Sequence, residues 1–235
     1  MNQVNSHIAR MLAAAVIRSI ALLLVFVTSA HAQSPNGEYL EGKSASTAVI
    51  LAHGRGQGPD GQVVGALRRA IHAEAGFHTL SVQLPVLATP DYLAYAATYP
   101  DAYKTLQSAI DFLIKQKGVK RIYILGYSLG ARMTTSFLAN HPVSQVVGYI
   151  GVGVLEGGGE LLDANLNIRK LNVPVIDLYA DATPLDLASA ENRKAWASDR
   201  YKQVQIRGAN HSFRGYDAAL AEDIMVWLKE REQRQ

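Results

Sequence analysis

The hydrophobic residues of this chain follow two alternating patterns along most of its length. Short continuous runs of Val, Ile, Leu and Tyr are typical of strands that are covered on both faces of a sheet. Such runs occupy residues 48–52, 79–83, 121–125, 145–150, 175–179 and 202–206. Each run is too short for a helix of ordinary length, so we interpret them as the strands of one sheet.

Between these runs, apolar residues recur every three to four positions, which is the period of an amphipathic helix. Residues 62–75 and 101–117 show this pattern clearly, and each is followed by a glycine that can end a helix. A C-terminal helix is defined by Leu220, Ile224, Trp227 and Leu228. The alternation predicts an α/β protein with a doubly wound, mostly parallel sheet of about six to eight strands.

The N-terminal residues have the features of a secretory signal peptide rather than of a folded element. Arg10 and Arg18 precede an apolar run at residues 20–27, and Ala30-His31-Ala32 is a small-x-small cleavage pattern. Only 12 residues separate Arg18 from His31, fewer than the ~20 that a membrane-spanning helix needs. We therefore expect a cleaved signal peptide at residues 1–32, a single domain at residues 33–235, and a protein exported to the periplasm or secreted.

Composition narrows the possible functions. The chain has no cysteine, which excludes zinc-thiolate sites, iron–sulfur clusters and thiol catalysis. Its net charge of +3 is small, so nucleic acid is not an expected partner. The loop from Gly54 to Pro59 lacks the third glycine of a dinucleotide fingerprint, and the glycines at 157–159 lack the lysine of a phosphate-binding loop. No metal motif is present either, so we predict neither a cofactor nor a metal.

One serine lies in a pattern that can make it a nucleophile. The run at residues 121–125 leads into Gly126-Tyr127-Ser128-Leu129-Gly130, and a helical stretch follows. In a strand–turn–helix context, G-x-S-x-G is the sharp turn that exposes a catalytic serine above a sheet. The alternative is a serine that merely caps the helix.

A serine needs a base, and His211 is the best-placed histidine. It follows the last strand in a polar loop, at the edge of the sheet where ligands of open α/β folds bind. The alternative is an ordinary loop histidine. We expect structural or surface roles for the remaining histidines after residue 32, which are His53, His72, His78 and His141.

More than one acid in the sequence could orient the histidine. Asp181 is the first acid after the strand at 175–179, and we predict that it contacts His211. Asp186, a few residues later, is the alternative, and Asp177 within the strand ranks below both. The backbone N–H groups of Leu129 and of Arg55, in the glycine-rich loop after the first strand, are the candidate oxyanion donors.

With these motifs, nearly all of residues 33–235 resembles the α/β-hydrolase superfamily. The segments 79–85 and 173–179 are also similar to a poorly characterised group of exported bacterial members. The resemblance implies Ser128 as nucleophile, His211 as base, and an oxyanion hole from Arg55 and Leu129. It departs at Thr183, where many members carry the catalytic acid.

Members of this superfamily often carry a lid of many tens of residues between the strands that here end near 150 and begin near 174. Only about two dozen residues separate these strands in this chain, so we expect no large lid over the site. One helix at residues 161–170 would fill this connection. Four tyrosines in the segment 84–103 are candidates either for the wall of an acyl or aryl pocket or for simple packing. These residues are Tyr92, Tyr95, Tyr99 and Tyr103.

The expected function is therefore a serine hydrolase that cleaves a small-molecule ester or acyl substrate through an acyl-enzyme. A thioesterase or peptidase would use the same residues. The alternative from another class is a binding protein that keeps the fold but has lost its chemistry, since the usual acid is missing at Thr183.

Overall fold

A computed structural model describes residues 35–234. The predicted signal peptide at residues 1–32 lies outside the described residues. Within them, no helix has both the length and the apolar character needed to cross a membrane.

The described residues form a seven-stranded sheet in the order β1-β3-β2-β4-β5-β6-β7. The strands are β1 (Gly37–Leu40), β2 (Ser44–Ala52), β3 (Phe77–Val82), β4 (Arg121–Tyr127), β5 (Val146–Val152), β6 (Val175–Ala180) and β7 (Tyr201–Ile206). Only the edge strand β1 pairs antiparallel, and the remaining pairs are parallel. The predicted doubly wound, mostly parallel α/β sheet is confirmed.

Helices connect the parallel strands, as crossovers between such strands require. These connecting helices are α1 (Gln62–Ala75), a 3₁₀ helix (Leu93–Thr98), α2 (Tyr99–Lys117), α3 (Leu129–Asn140), α4 (Gly159–Leu162), α5 (Ala164–Ile168) and α6 (Pro184–Lys194), and α7 (Asp217–Gln233) follows the last strand. Both α1 and α2 end at a glycine in the left-handed conformation, Gly76 and Gly118, as their sequence pattern predicted.

The sheet divides the hydrophobic core into two layers. Successive side chains of a strand point to opposite faces, so Ile50 of β2 packs in one layer and Leu51 in the other. Helices α2 and α3 cover the first layer, and α1 and α7 cover the second. Because β2 to β7 run parallel, they all end at the same edge of the sheet. Ligands of open α/β folds bind at this edge.

Three local features of the structure were not expected from the sequence. The polar segment at residues 37–40 forms an edge strand that pairs antiparallel with β3. The single helix predicted at residues 161–170 is two short helices, α4 and α5, separated at Asp163, whose carboxylate caps α5. Helix α6 was not predicted, because its buried positions are mainly polar and give no hydrophobic periodicity.

Candidate active site

Ser128 lies at a sharp turn between β4 and α3. Its backbone has φ 54° and ψ −116°, a strained conformation for a residue with a side chain. The turn fits only because glycines flank it. A Cβ on Gly126 would lie 2.6 Å from the Cα of Ala131, and one on Gly130 would collide with the carbonyl oxygens of Ala52 and His53. The local sequence therefore builds the strand–turn–helix arrangement that we expected.

The loop after β7 brings His211 to this turn. The Ser128 Oγ and His211 Nε2 are 2.8 Å apart. The loop is fixed from two sides, because the Tyr127 hydroxyl donates to the His211 carbonyl at 3.1 Å and the His211 N–H donates to Thr183 Oγ1 at 2.9 Å. Burial, with the charge of Asp186 as a smaller cause, raises the pKa of Tyr127 to about 12, so its hydroxyl stays a donor.

The other ring nitrogen of His211 contacts Asp186. Its Nδ1 lies 2.8 Å from Oδ1 and 3.1 Å from Oδ2 of a carboxylate that is only 1% exposed. A carboxylate can only accept, so the proton of the neutral ring is on Nδ1 and Nε2 is free to accept from the serine hydroxyl. The three side chains form one continuous line of hydrogen bonds.

The prediction that Asp181 contacts His211 is wrong. Asp181 follows the end of β6 but turns toward the outer strand β7. There its carboxylate accepts from Gln205 Nε2 and from the Gly208 N–H, both at 2.7 Å. These two hydrogen bonds, the Gln205 one being the larger cause, lower the pKa of Asp181. Asp186 instead lies in the first turn of α6 and points inward, so the alternative acid is the one beside the histidine.

Thr183 stands at the position where many members of the superfamily that the sequence resembles carry the acid. In this structure Thr183 contacts His211 without being an acid. Its hydroxyl accepts the His211 N–H, and its carbonyl accepts the Leu187 N–H in the first turn of α6. It thus joins the histidine loop to the helix that carries Asp186. No sequence pattern indicated this role, since a threonine before a proline is common at helix starts.

The glycine-rich loop after β2 faces the serine from the other side. Its first residue, His53, is buried and donates from Nδ1 to the Gly54 carbonyl at 2.9 Å, while Nε2 accepts from the Leu84 N–H at 3.1 Å. Burial lowers the pKa of His53, which keeps the ring neutral. The expected loop-ordering role of His53 agrees with these contacts.

Both expected oxyanion donors border the cavity that contains Ser128. Arg55 lies on the exposed rim of the glycine-rich loop, and Leu129 is the first residue of α3. The first N–H groups of a helix have no intrahelical acceptor, so the Leu129 N–H is available to a ligand. Gly54 has no room for a side chain, because a Cβ there would meet the Tyr127 ring at 2.8 Å.

The cavity has a volume of about 400 Å³. Apolar walls come from Tyr92, Leu155 and Leu185, whereas Glu156 and Arg132 provide its polar parts. Of the four candidate tyrosines, only Tyr92 is among the residues lining this cavity. Tyr95 and Tyr99 are buried in the first core layer, and Tyr103 packs against it.

Arg132, one turn after Ser128 on α3, is a wall residue that the sequence analysis missed. Its guanidinium donates to the carbonyls of Glu156, Gly157 and Leu162 at 2.6–2.8 Å and lies 4.7 Å from the centre of the Tyr92 ring. Burial lowers its pKa. The sequence feature that could have indicated this role is the position of the arginine, four residues after Ser128 in the helix that follows it.

The remaining histidines have other partners. His72 contacts the Glu41 carbonyl, and His78 Nδ1 accepts from the Tyr39 hydroxyl at 2.7 Å. His141 stacks on Phe137 at the end of α3. Within residues 35–234, no group of three or more His, Asp or Glu side chains is arranged to hold a metal ion.

No family model matches the sequence, and no curated protein matches it either. The fold, however, is shared with solved structures. Est1E from Butyrivibrio proteoclasticus with ferulic acid bound is 15% identical, with a TM-score of 0.65 over 84% of this chain and 95% of that one. A dienelactone hydrolase from Anabaena variabilis is 19% identical, with a TM-score of 0.64 over 82% and 89%.

A third structure resembles the chain in lacking a lid. XC6422 from Xanthomonas campestris, described as an α/β serine hydrolase without lid, is 15% identical, with a TM-score of 0.59 over 83% of this chain and 95% of that one. Here the connection between β5 and β6 holds only α4 and α5. At such identities the likeness concerns the fold alone: this chain has the α/β-hydrolase fold without a large lid.

Proposed function

We propose that this protein is a serine hydrolase that cleaves carboxylic esters through an acyl-enzyme. Ser128 is the nucleophile, His211 the general base and Asp186 the acid that orients the base. The observation that carries the proposal is the unbroken line of hydrogen bonds, 2.8 Å from Ser128 to His211 and 2.8 Å from His211 to Asp186. A capping serine and an ordinary loop histidine would not need a buried carboxylate behind them.

In acylation, the Ser128 Oγ attacks the ester carbonyl carbon while its proton moves to His211 Nε2. The carbonyl oxygen becomes an oxyanion, and the N–H groups of Leu129 and Arg55 donate to it. When the C–O bond to the alcohol breaks, His211 returns the proton to the leaving oxygen. The products of this half-reaction are a free alcohol and an ester of Ser128.

Deacylation repeats the same transfers with water. His211 takes a proton from water, and the hydroxide attacks the acyl carbon. The bond from carbon to Ser128 Oγ then breaks, and His211 gives the proton back to the serine. Asp186 does not take the proton itself; its role is to hold the Nδ1–H tautomer and to stabilise the imidazolium that forms in each step.

The cavity suits a small ester with a short acyl or aryl group. Its volume of about 400 Å³ is at the lower end of the range for drug-sized ligands. Tyr92, Leu155 and Leu185 offer apolar contact, and the short β5–β6 connection leaves the site without a covering domain. Following the signal-peptide pattern, we place this reaction in the periplasm or outside the cell.

Labelling with a fluorophosphonate probe tests the proposal directly, because such probes react only with activated serines. The purified protein should be labelled and should hydrolyse p-nitrophenyl esters of short acids. Ser128→Ala should abolish both, whereas Ser144→Ala should change neither, since Ser144 is an exposed serine whose hydroxyl donates to the Gln145 side chain. Labelling that survives Ser128→Ala, or a folded wild type that is never labelled, contradicts the proposal.

The alternative of a binding protein without chemistry was motivated by the missing acid at Thr183. The contact of Asp186 with His211 supports the hydrolase over this alternative, because it gives the base an acid despite Thr183. A matched panel of oxygen esters, thioesters and amides with the same acyl group distinguishes the ester hydrolase from a thioesterase or a peptidase. Faster turnover of oxygen esters is the expected result.

A further inference from the structure

Helix α6, which carries Asp186, has an unusual buried face. Its buried residues are Asp186, Ser189, Ala190 and Arg193, at the i, i+3, i+4, i+7 spacing of an amphipathic helix. In most helices these positions are apolar, whereas three of the four are polar here. The leucines of the helix are not part of the core, since Leu185, which borders the cavity, is 53% exposed and Leu187 is 37% exposed.

Helix α6 therefore nearly lacks an apolar face that packs against the core. None of residues 184–194, all of them within the described part of the chain, belongs to the two large hydrophobic layers. Most helices in proteins are stabilised by packing an apolar face onto the core. Another interaction must fix the position of α6, and with it the position of Asp186.

That interaction centres on Arg193, at the opposite end of the helix from Asp186. The Arg193 Nε donates to Asp177 Oδ2 at 2.8 Å and Nη2 donates to Oδ1 at 3.0 Å, with both side chains fully buried. Asp177 belongs to β6, the strand that precedes the helix. This two-point contact joins the last turn of α6 to β6, which lies beside the edge strand β7 of the sheet.

Further hydrogen bonds saturate this buried pair. Arg193 Nη1 donates to the Val154 carbonyl at 3.0 Å and to Asn165 Oδ1 at 2.6 Å. The Tyr201 hydroxyl donates to Asp177 Oδ2 at 2.6 Å, and Gln203 Nε2 donates both to that oxygen and to the Ala190 carbonyl of α6. The partners come from the β5–β6 connection and from β7, so the arginine ties α6 to three parts of the fold.

We propose that Arg193 is a positioning residue for the catalytic site: its buried contact with Asp177 sets the place of α6 and so aims the Asp186 carboxylate at His211. The two residues are seven positions apart on one face, about 10 Å along the helix axis. The catalytic consequence rests on the proposed function, but the placement of Asp186 does not.

The chemistry of arginine explains why this residue suits the task. Its planar guanidinium binds a carboxylate at two points and so fixes orientation as well as distance. A lysine would keep the charge but would contact Asp177 as a single point and would leave the helix free to rotate. The conservative change Arg193→Lys is therefore informative.

The first measurement is the second-order rate of fluorophosphonate labelling, together with kcat and KM for a p-nitrophenyl ester. Arg193→Lys should lower the labelling rate and kcat by about 10²-fold, the effect of a misplacement of about 1 Å, with little change in KM. Lys194→Met is the matched control, because Lys194 is the next residue of α6 and pairs only with exposed Glu191. It should react like the wild type.

A double-mutant cycle with Asp186→Asn tests whether Arg193 acts through the acid. If it does, Arg193→Lys should produce no further loss in the Asp186→Asn background, because coupled residues do not add. A loss that multiplies with that of Asp186→Asn, or an Arg193→Lys rate within threefold of the wild type, overturns the proposal.

A second readout needs no catalysis. The Nδ1 proton of a histidine that donates to a carboxylate gives a far-downfield NMR resonance, assigned here by its loss in His211→Gln. This resonance should persist in Lys194→Met and should weaken or move upfield in both Asp186→Asn and Arg193→Lys. A folded Arg193→Lys variant with an unchanged resonance overturns the positioning role. If the wild type shows the resonance but no labelling, the proposed function fails and the resonance still decides the role of Arg193.

Folding failure would not end the test. Removing only one partner of a buried ion pair leaves an uncompensated charge, whereas neutralising both partners avoids that cost. If Arg193→Lys does not fold, the double variant Asp177→Asn/Arg193→Gln replaces it in the same comparisons. Native circular dichroism together with the same loss of rate and resonance supports the proposal, and a native rate and resonance overturn it.

Discussion

At the scale of single residues, the site depends on which of two nearby carboxylates points at the histidine. Asp181 and Asp186 both follow β6, but Asp181 is partly exposed and bound to Gln205 and Gly208, whereas Asp186 is buried against His211. A carboxylate supports the base only when it contacts Nδ1, because only there does it select the tautomer. Asp181 is closer to the end of β6 in the sequence, and this proximity favoured the wrong aspartate.

Exchange of each carboxylate for its amide separates the two aspartates. Asp186→Asn should lower kcat by about 10⁴-fold, as in a well-formed triad whose histidine loses its tautomer control. Asp181→Asn should change kcat by no more than a few fold, because its partners are an amide and a backbone N–H at the surface. Steady-state hydrolysis of one p-nitrophenyl ester measures both, and the reverse order of effects would refute our choice of acid.

At the scale of elements, the contact between β2 and the start of α3 places the nucleophile. The backbone of Gly130 lies against the carbonyls of Ala52 and His53, closer than any side chain permits. The helix therefore begins directly beside the glycine-rich loop, which brings the Leu129 and Arg55 donors to the same cavity. The glycines of the motif are needed for this approach and not for the chemistry itself.

Gly130→Ala tests the close approach. In an exposed helix this change would stabilise the protein by up to about 1 kcal/mol. Here the new methyl group would meet two backbone oxygens, so we expect a loss of about 1–3 kcal/mol, typical of overpacking, and a lower labelling rate. Gly58→Ala is the control, since a Cβ there meets only the end of the Gln83 side chain at 3.5 Å. Urea unfolding should leave that variant within about 0.5 kcal/mol of the wild type, and equal stability of the two variants would contradict the argument.

At the scale of the whole molecule, the order of strands brings distant parts of the chain to one edge of the sheet. The segments that follow β2, β4, β6 and β7 carry Arg55, Ser128, Asp186 and His211, respectively. Buried polar side chains also join segments at this edge of the sheet: His53 links the glycine-rich loop after β2 to Leu84 after β3. The stability of the whole chain therefore depends on the protonation of such groups.

The lowered pKa of His53 predicts a loss of stability in mild acid. An unfolded histidine titrates near 6.5, whereas burial holds the pKa of folded His53 below that value. As the pH falls below about 6.5, the unfolded state takes up a proton that the folded state refuses, so stability declines by at most about 1.4 kcal/mol per pH unit from this group.

Urea unfolding at pH 7.5 and pH 5.5 measures the effect of His53. His53→Gln should be less stable than the wild type at pH 7.5, because it loses at least one buried hydrogen bond, but it should lose less stability on acidification. Part of the pH dependence should remain, since burial also lowers the pKa of His78. An identical loss in the wild type and the variant would show that His53 is not the group responsible.

The sequence by itself determined the six parallel strands, most of the helices, the turn around Ser128 and the loop of His211. These features depend on local rules: the period of apolar residues sets the element, and glycines beside the serine set the turn. Helix α6 could not be predicted in this way because its buried residues are mainly polar. They are Asp186, Ser189, Ala190 and Arg193. Its inward face is defined by partners that are distant in sequence.

Only the tertiary structure decided which aspartate contacts His211 and which residues form the walls of the cavity. Asp186 reaches His211 because the Arg193–Asp177 contact holds α6 against β6, and Arg132 forms a wall because three carbonyls of the β5–β6 connection surround it. The physical reason is that a side chain's direction at a loop or helix start depends on how that element docks. Docking by buried polar pairs leaves no periodic signal in the chain.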